Sequence, residues 1–353
     1  MKVLGIETSC DETAAAVVED GKRLLSNVVA SSMDLHVQYG GVVPEIAARS
    51  HIEVINRVVQ QALDDATCVW DDIDAIAVTY GAGLGGSLLI GVLTARTLAI
   101  TRDKPLYAIN HVEGHVYANF LTDTPLPDFT LPSAQPDFPL LAVIVSGGHS
   151  QLVLFQGHFD YELLGQTQDD AIGEAFDKVA KIIGLPYPGG PSVSQKAADG
   201  NPQAFTFPKA KMSGKYDFSF SGIKTAVLRT AQELIGEDFT FPSKDIPARL
   251  NDAQRADIAA SFQRVAVETI VDKAVQAYEE YSPKSVVIAG GVAANQELRQ
   301  QLSERLPIGV EYTDPKLCTD NGAMVATLGC FHMKYERPTA DPYSLDIAPN
   351  LSM

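Results

Sequence analysis

Val3-Leu4-Gly5-Ile6-Glu7-Thr8-Ser9-Cys10-Asp11-Glu12-Thr13-Ala14-Ala15-Ala16-Val17-Val18 consists of two short apolar runs separated by a small, polar turn. Val3 to Ile6 and Ala14 to Val18 read as strands, and Asp20-Gly21 supplies a hairpin turn into a third strand at Leu24 to Ala30. Beyond them, Ile46, Ala47, Ile55, Val58, Val59 and Ala62 recur at helical spacing, which predicts a helix between Pro44 and Ala66 with one buried face. A strand at Ile73 to Val78, the loop Gly81-Ala82-Gly83-Leu84-Gly85-Gly86, an apolar helix to Ala99 and a strand at Leu106 to Ile109 complete a βββαβαβ series.

The series recurs. Leu140 to Val145, the turn Ser146-Gly147-Gly148-His149-Ser150, Leu152 to Phe155 and Tyr161 to Leu164 give three more strands. An amphipathic helix from about Asp170 to Ile183 follows. A strand at Ser285 to Ile288 then enters Gly290-Gly291-Val292-Ala293-Ala294-Asn295, which opens a helix to Arg305; a strand at Ile308 to Tyr312 and a closing helix from Asn321 to Lys334 complete the copy. The copies differ by an insertion of residues 185–283, which carries a long helix with Ile258, Phe262, Val265, Ala266, Thr269 and Ile270 on its apolar face. The expected organisation is an N-terminal lobe over 1–130, a Pro-rich linker, a C-terminal lobe over 137–340 and a tail over 341–353. This α/β pattern of duplicated lobes resembles the actin, hexokinase and Hsp70 superfamily (ASKHA, RNase H-like). That resemblance implies a nucleotide in a cleft between the lobes, its phosphates facing backbone N–H groups of the Gly-rich turns. Taken singly, each Gly-rich turn is either turn chemistry or a ligand loop.

Composition narrows the classes. With 353 residues, 46% apolar and 20% charged, the chain can bury a large core and is neither disordered nor a disulfide mini-scaffold. A net charge of -17 argues against indiscriminate binding to nucleic acid or anionic membrane, so an RNA substrate would need a local basic patch or a partner that supplies positive surface. Cys10, Cys68, Cys318 and Cys330 form no Cys-x-x-Cys pair. The N-terminus has no long apolar core of a signal peptide, and the apolar run near Leu88 to Ile100 is interrupted by Arg96. A cytoplasmic protein without a membrane partner is expected.

His111-Val112-Glu113-Gly114-His115 puts two imidazoles on one face of a helix, a preformed pair of metal ligands. A zinc peptidase would carry its general-base Glu directly after the first histidine. Here the Glu comes one position later, and at about 100° per residue Glu113 points roughly 200° round from His111.

Many motifs in the same order make the chain similar to the TsaD (formerly Gcp or O-sialoglycoprotein endopeptidase) family. They are Gly5-Ile6-Glu7-Thr8-Ser9-Cys10-Asp11-Glu12-Thr13, Pro44-Glu45-Ile46-Ala47-Ala48-Arg49 with His51, Gly81-Ala82-Gly83-Leu84, His111-Val112-Glu113-Gly114-His115 and Val145-Ser146-Gly147-Gly148-His149. They continue with Gly173-Glu174-Ala175-Phe176-Asp177-Lys178, Tyr187-Pro188-Gly189-Gly190-Pro191, Gly290 to Asn295 and Cys318-Thr319-Asp320-Asn321. One departure is Ser194, where many members carry an acid.

The resemblance implies transfer of a threonylcarbamoyl group from threonylcarbamoyl-AMP to N6 of adenosine 37 in tRNAs reading codons that begin with A, giving t6A and AMP. It implies a third metal ligand at Asp320 beside His111 and His115, holding Fe2+ or Zn2+. It implies donor contacts at Ile144, Val145, Ser146, Gly147, Gly148, Asp177, Gly190 and Asn295. Its implied partners are tRNA, an inactive paralogue of the same fold (TsaB-like) and a small P-loop ATPase (TsaE-like). Asp11 and Glu12 are candidates for positioning the donor or accepting a proton, and equally for capping their turn. Lys209, Lys211, Lys215, Lys224 and Arg229, interleaved with Tyr216, Phe218 and Phe220, are either an RNA contact or a solvated face. A metallopeptidase and a nucleotide-binding scaffold are the competing classes.

Overall fold

The computed structural model describes residues 1–353 as two compact units, one of Met1–Pro136 with Glu311–Met353, the other of Asp137–Val310. In the first, β1 (Lys2–Glu7), β2 (Glu12–Glu19) and β3 (Arg23–Ser31) form the antiparallel series, followed by α1 (Met33–His36), α2 (Pro44–Asp65), β4 (Ala75–Gly81), α3 (Gly85–Arg102), β5 (Leu106–Asn110) and α4 (His111–Tyr117). The sheet order is β3-β2-β1-β4-β5, with β4 and β5 parallel to β1. The second unit repeats it with β6 (Leu140–Val145), β7 (Ser150–Gly157), β8 (Asp160–Gln166), α5 (Ile172–Ile183), α6 (Gly189–Ala197), α7 (Ser221–Leu234), α8 (Asp252–Tyr281), β9 (Ser285–Ala289), α9 (Gln296–Arg305) and β10 (Val310–Glu311). Its order, β10-β9-β6-β7-β8, is the same order continued in the second copy. The chain ends with α10 (Pro315–Cys318) and α11 (Gly322–Lys334). No helix is long and apolar enough to cross a membrane.

Sheet one is covered on both faces, which explains why Ala14 to Val18 are all buried instead of alternating. Ile55, Val58, Val59, Ala62 and Leu63 of α2 and Val92, Ala95 and Ala99 of α3 join Leu4, Ile6, Ala15 and Val17 in one core. Helix α11, buried from Gly322 to Phe331, packs with β1, β2, β4 and α4. A helix apolar all round can only be an interior one.

This corrects the expected boundary at residue 340. The last helix follows the second βββαβαβ series in sequence but belongs to the first unit, because backbone meets backbone there. A Cβ on Gly5 would stand 2.4 Å from the Ala326 nitrogen, and one on Gly322 would stand 2.5 Å from the Ala15 carbonyl carbon. After α11 the tail stays on the first unit. Arg96 donates to the carbonyls of Pro342, Tyr343 and Leu345 at 2.6, 2.6 and 3.2 Å, and the Ala348 amide donates to the Tyr80 carbonyl at 2.7 Å.

Gly5→Ala is expected to force α11 off β1 and lower unfolding free energy by about 1 to 3 kcal/mol, the usual cost of overpacking. Denaturant titration of the two proteins measures it; equal midpoints would contradict the packing.

Candidate metal centre and nucleotide cavity

Asn110 starts the histidine helix. Its side-chain oxygen accepts the Val112 amide at 2.9 Å and the Glu113 amide at 3.4 Å, while its nitrogen donates to the Ser352 carbonyl at 3.0 Å. With the start of α4 so fixed, His111 and His115 are both buried, ring centroids 4.7 Å apart and planes inclined at 79°. Asp320 lies just before Asn321, whose side chain caps α11 through the Met324 amide at 3.0 Å. Its Oδ1 is 3.2 Å from His115 Nε2 and 3.6 Å from His111 Nε2. One ligand atom from each of the three lies within 4.8 Å of the others.

Ligands of a four-coordinate metal with bonds of about 2.1 Å stand about 3.4 Å apart, close to both contacts of Asp320. The electrostatics agree. Both ring nitrogens of His115 are buried without a hydrogen-bond partner. Leaving such an atom unsatisfied costs about 1 to 3 kcal/mol, and a cation at Nε2 would satisfy that nitrogen. On His111, Nδ1 faces Ser9 Oγ at 3.1 Å and Glu7 Oε2 at 3.3 Å, so Nε2 is turned towards Asp320. Glu7 is fully buried and accepts the Ser9 amide and the Thr79 hydroxyl, each at 2.5 Å. A carboxylate behind a ligand histidine fixes its ring and tautomer. Burial opposes charge on His111, but Asp320 and Glu7 outweigh it and lift the imidazolium to about 9, so a bound cation would displace a proton from this ring. The residues present therefore fit a divalent cation.

The turn bearing Asp11 and Glu12 is pinned from behind. His51 bridges it, with Nδ1 2.7 Å from Thr13 Oγ1 and Nε2 3.0 Å from the Cys10 carbonyl, while Ser32 Oγ donates to the Asp11 carbonyl at 2.8 Å. Burial, then the Asp320 and Asp11 charges, push the Glu12 carboxyl up to about 9, which places Glu12 in the field of the cluster. Burial and the same two carboxylates push the Cys10 thiol up and keep it neutral, and Cys10 is not part of the three-residue cluster. Glu113 is absent from the cluster. Burial pushes it up to about 7 against the pull of Arg337, in line with its position on the helix.

The second unit holds a cavity of about 830 Å³. Gly147, Asp177, Gly190 and Asn295 line it, with Phe176, Ser194, Gln263, Arg264 and Val292. Ile144, Val145, Ser146 and Gly148 are not in its wall. Ile144 and Val145 are interior residues of β6, and Ser146 shapes the turn by accepting the His149 amide at 3.0 Å. Gly148 is exposed, with open space where a Cβ would stand. Gly290, at φ 91°, lets the chain leave β9: a Cβ there would stand 2.5 Å from the Val145 carbonyl oxygen. Asp177 accepts the Gly189 amide at 2.7 Å, and burial raises its carboxyl above the ordinary range.

The basic stretch is largely neutralised. Lys209 pairs with Glu268 at 2.9 Å and Asp272 at 2.7 Å, Lys215 pairs with Glu280, and Lys224 pairs with Asp170 at 3.1 Å. Arg229 lies over the Phe239 ring at 5.3 Å. Tyr216, Phe218 and Phe220 are buried and offer no stacking platform for bases. The RNA-contact reading of this stretch loses its support.

A duplicated α/β fold carrying a two-histidine, one-carboxylate cluster on one unit and a large cavity on the other defines an actin/hexokinase-like protein with a metal-site constellation. The sequence model of TsaD, tRNA N6-adenosine threonylcarbamoyltransferase, matches residues 23–327. A protein of that name from Symbiobacterium thermophilum is 51% identical over 332 residues, 93% of this chain and 91% of the relative. Another of that name, from Thermomicrobium roseum, is 48% identical over 360 residues, 100% of this chain and 97% of the relative. The chain belongs to the TsaD family. Among solved structures, full-length HypF in its phosphate- and nucleotide-bound form is similar at TM-score 0.54 and 14% identity, covering 96% of this chain and 47% of that one. The activator of 2-hydroxyisocaproyl-CoA dehydratase from Clostridium difficile with bound ADPNP is similar at TM-score 0.50 and 15% identity, covering 99% of this chain and 100% of that one. These two show the fold alone.

Glu7, Ser9, Thr79 and His51, which orient the cluster and its turn, were not singled out as functional by sequence reasoning. A Glu closing an otherwise apolar strand was the available signal.

His115→Ala is expected to remove most bound metal while the protein stays folded, and Glu113→Gln to retain it; mass spectrometry of metal content separates the two. Replacing Lys209, Lys211 and Lys215 together with Ala is expected to leave the salt dependence of tRNA binding unchanged. A slope flattened by about 0.9 per phosphate contact would restore the RNA reading.

Proposed function

We propose that the chain forms t6A: the N6 amine of adenosine 37 in tRNAs reading codons that begin with A attacks the carbamoyl carbon of threonylcarbamoyl-AMP. The new C–N bond replaces the bond from that carbon to the phosphate oxygen, AMP departs, and N6 gives up one proton. The observation that supports this reading most strongly is the His111–His115–Asp320 cluster, in a chain alike from end to end to relatives bearing that activity in their names. A divalent cation held there, Fe2+ or Zn2+ by the chemistry of two imidazoles and a carboxylate, would polarise a donor oxygen and stabilise charge developing on it. Glu7 and Ser9 keep the first imidazole oriented. We assign Asp11 and Glu12, on their pinned turn, to holding the donor, with Asp11 taking the N6 proton and the neutral carboxyl of Glu12 donating a hydrogen bond. Within the cavity, the Gly147 and Gly190 backbones admit the phosphate side of the donor, Asp177 accepts ribose hydroxyls, and Asn295 belongs to the nucleoside end. Ile144, Val145, Ser146 and Gly148 contribute by shaping and presenting the turn.

The acidic chain gains its RNA surface from partners in the cytoplasm: the TsaB-like paralogue and the TsaE-like P-loop ATPase. For the paralogue we assign the face of α2 and α3, where Ile52, Leu89, Leu93 and Ile100 are exposed at 59%, 40%, 44% and 41%. Two such apolar helix faces from related folds can cover one another.

Incubation of the protein and both partners with unmodified tRNA and threonylcarbamoyl-AMP is expected to yield t6A, read by nucleoside mass spectrometry. Asp177→Ala is expected to weaken AMP binding about tenfold, as loss of one or two hydrogen bonds would, and to leave bound metal unchanged. Donor consumed without t6A would refute the assignment.

A further inference from the structure

The cavity wall contains a chain of side-chain hydrogen bonds whose polarity is set at one end by a helix cap. Asn295 Oδ1 accepts the Leu298 amide of α9 at 3.0 Å, which fixes which end of that amide is nitrogen. Its Nδ2 therefore faces Ser194 Oγ at 3.0 Å and Gln263 Oε1 at 3.1 Å. Ser194 donates its hydroxyl to the same Gln263 oxygen at 2.8 Å. Gln263 Oε1 thus accepts twice, and the other end of its amide, Nε2, is left as a donor with no protein acceptor, on a residue that lines the cavity. Flipping that amide would set Nε2 against the Asn295 Nδ2 donor and forfeit that bond, about 0.5 to 1.5 kcal/mol, and Ser194 would have to turn its hydroxyl to accept. The network carries no charge of its own, and the free Nε2 can donate to a neutral acceptor such as a ring nitrogen. Asp177, the carboxylate of the same wall, suits hydroxyl donors instead.

We propose that Gln263 is a specificity-determining residue that donates its side-chain N–H to a ring nitrogen of the purine bound in this cavity, with Asn295 and Ser194 as the positioning residues that hold its amide in that sense. The proposal rests on the cavity being the nucleoside site. It adds a residue from α8, inside the insertion, that reads the acceptor edge of the base. Adenine offers three such nitrogens. Adding a proton to one of them, or replacing it with carbon, removes the acceptor.

The test is calorimetric binding of AMP and its 1-deaza, 3-deaza and 7-deaza analogues to the native protein and to Gln263→Leu, with metal content as the check that the first unit is intact. The native protein is expected to bind one of the three analogues about 5- to 10-fold more weakly than AMP, the worth of a single hydrogen bond. Gln263→Leu is expected to bind AMP weaker by the same factor and to show no further loss with that analogue. Gln263→Glu, which keeps the shape and removes the donor, is expected to lose the same discrimination and serves if the leucine variant does not fold. Identical deaza penalties in native and variant proteins would overturn the proposal while leaving the cavity as the nucleotide site. So would a penalty that moves to 2′-deoxy-AMP, which would give the amide to the sugar. Failure of the native protein to bind AMP at all would overturn the cavity assignment, and the role of Gln263 with it.

Discussion

Asp320 reaches a histidine pair some two hundred residues earlier in the chain only because helix α11 can lie on β1 and β2 at backbone distance. The Gly5 and Gly322 contacts, where any Cβ would fall 2.4 to 2.5 Å from backbone atoms, are the constraint on which the first unit depends. They seat the start of α11 against the sheet, and the same helix packs on α4. The third ligand and the first two are thus fixed by one packing event. A larger residue at either glycine would move the carboxylate relative to the imidazoles, and about 1 Å of misplacement is enough to impair a reacting site.

Around the cluster, charge is arranged so that each group leans on another. Glu7, fully buried in a sheet, is tolerable because Ser9, Thr79 and His111 surround it. His115 lacks such partners, and Asp320 is the charged group at its Nε2. A cluster that holds one imidazole by a carboxylate from behind and leaves the next without hydrogen bonds is poised for a cation and costly without one.

Much of the architecture could be read from residues. The strand Leu140–Val145 has the limits that its apolar run suggests, and the long helix of the insertion carries its buried face at Ile258, Phe262, Val265 and Ile270 as the spacing indicates. The lobe that owns α11 could not be read, since order along the chain says nothing of a glycine contact across the sheet. His111 and His115 announce themselves by spacing, whereas Asp320 looks like a residue at a helix start and entered only through family resemblance. The basic stretch misleads for a related reason: the acids that neutralise Lys209 and Lys215 lie 63 and 65 residues further on, along α8. Gln263 is hidden in that same helix, and only the bonds to Ser194 and Asn295 bring it out.

His111, His115 and Asp320 are expected to hold one divalent cation between two imidazoles and a carboxylate. X-ray absorption spectroscopy of the zinc-loaded protein tests this arrangement most directly. The expected spectrum has a nearest shell of nitrogen and oxygen at about 2.0 to 2.2 Å with the outer-shell scattering of two imidazoles. A sulfur shell at about 2.3 Å, which would bring in Cys10, or a spectrum without imidazole scattering would contradict it.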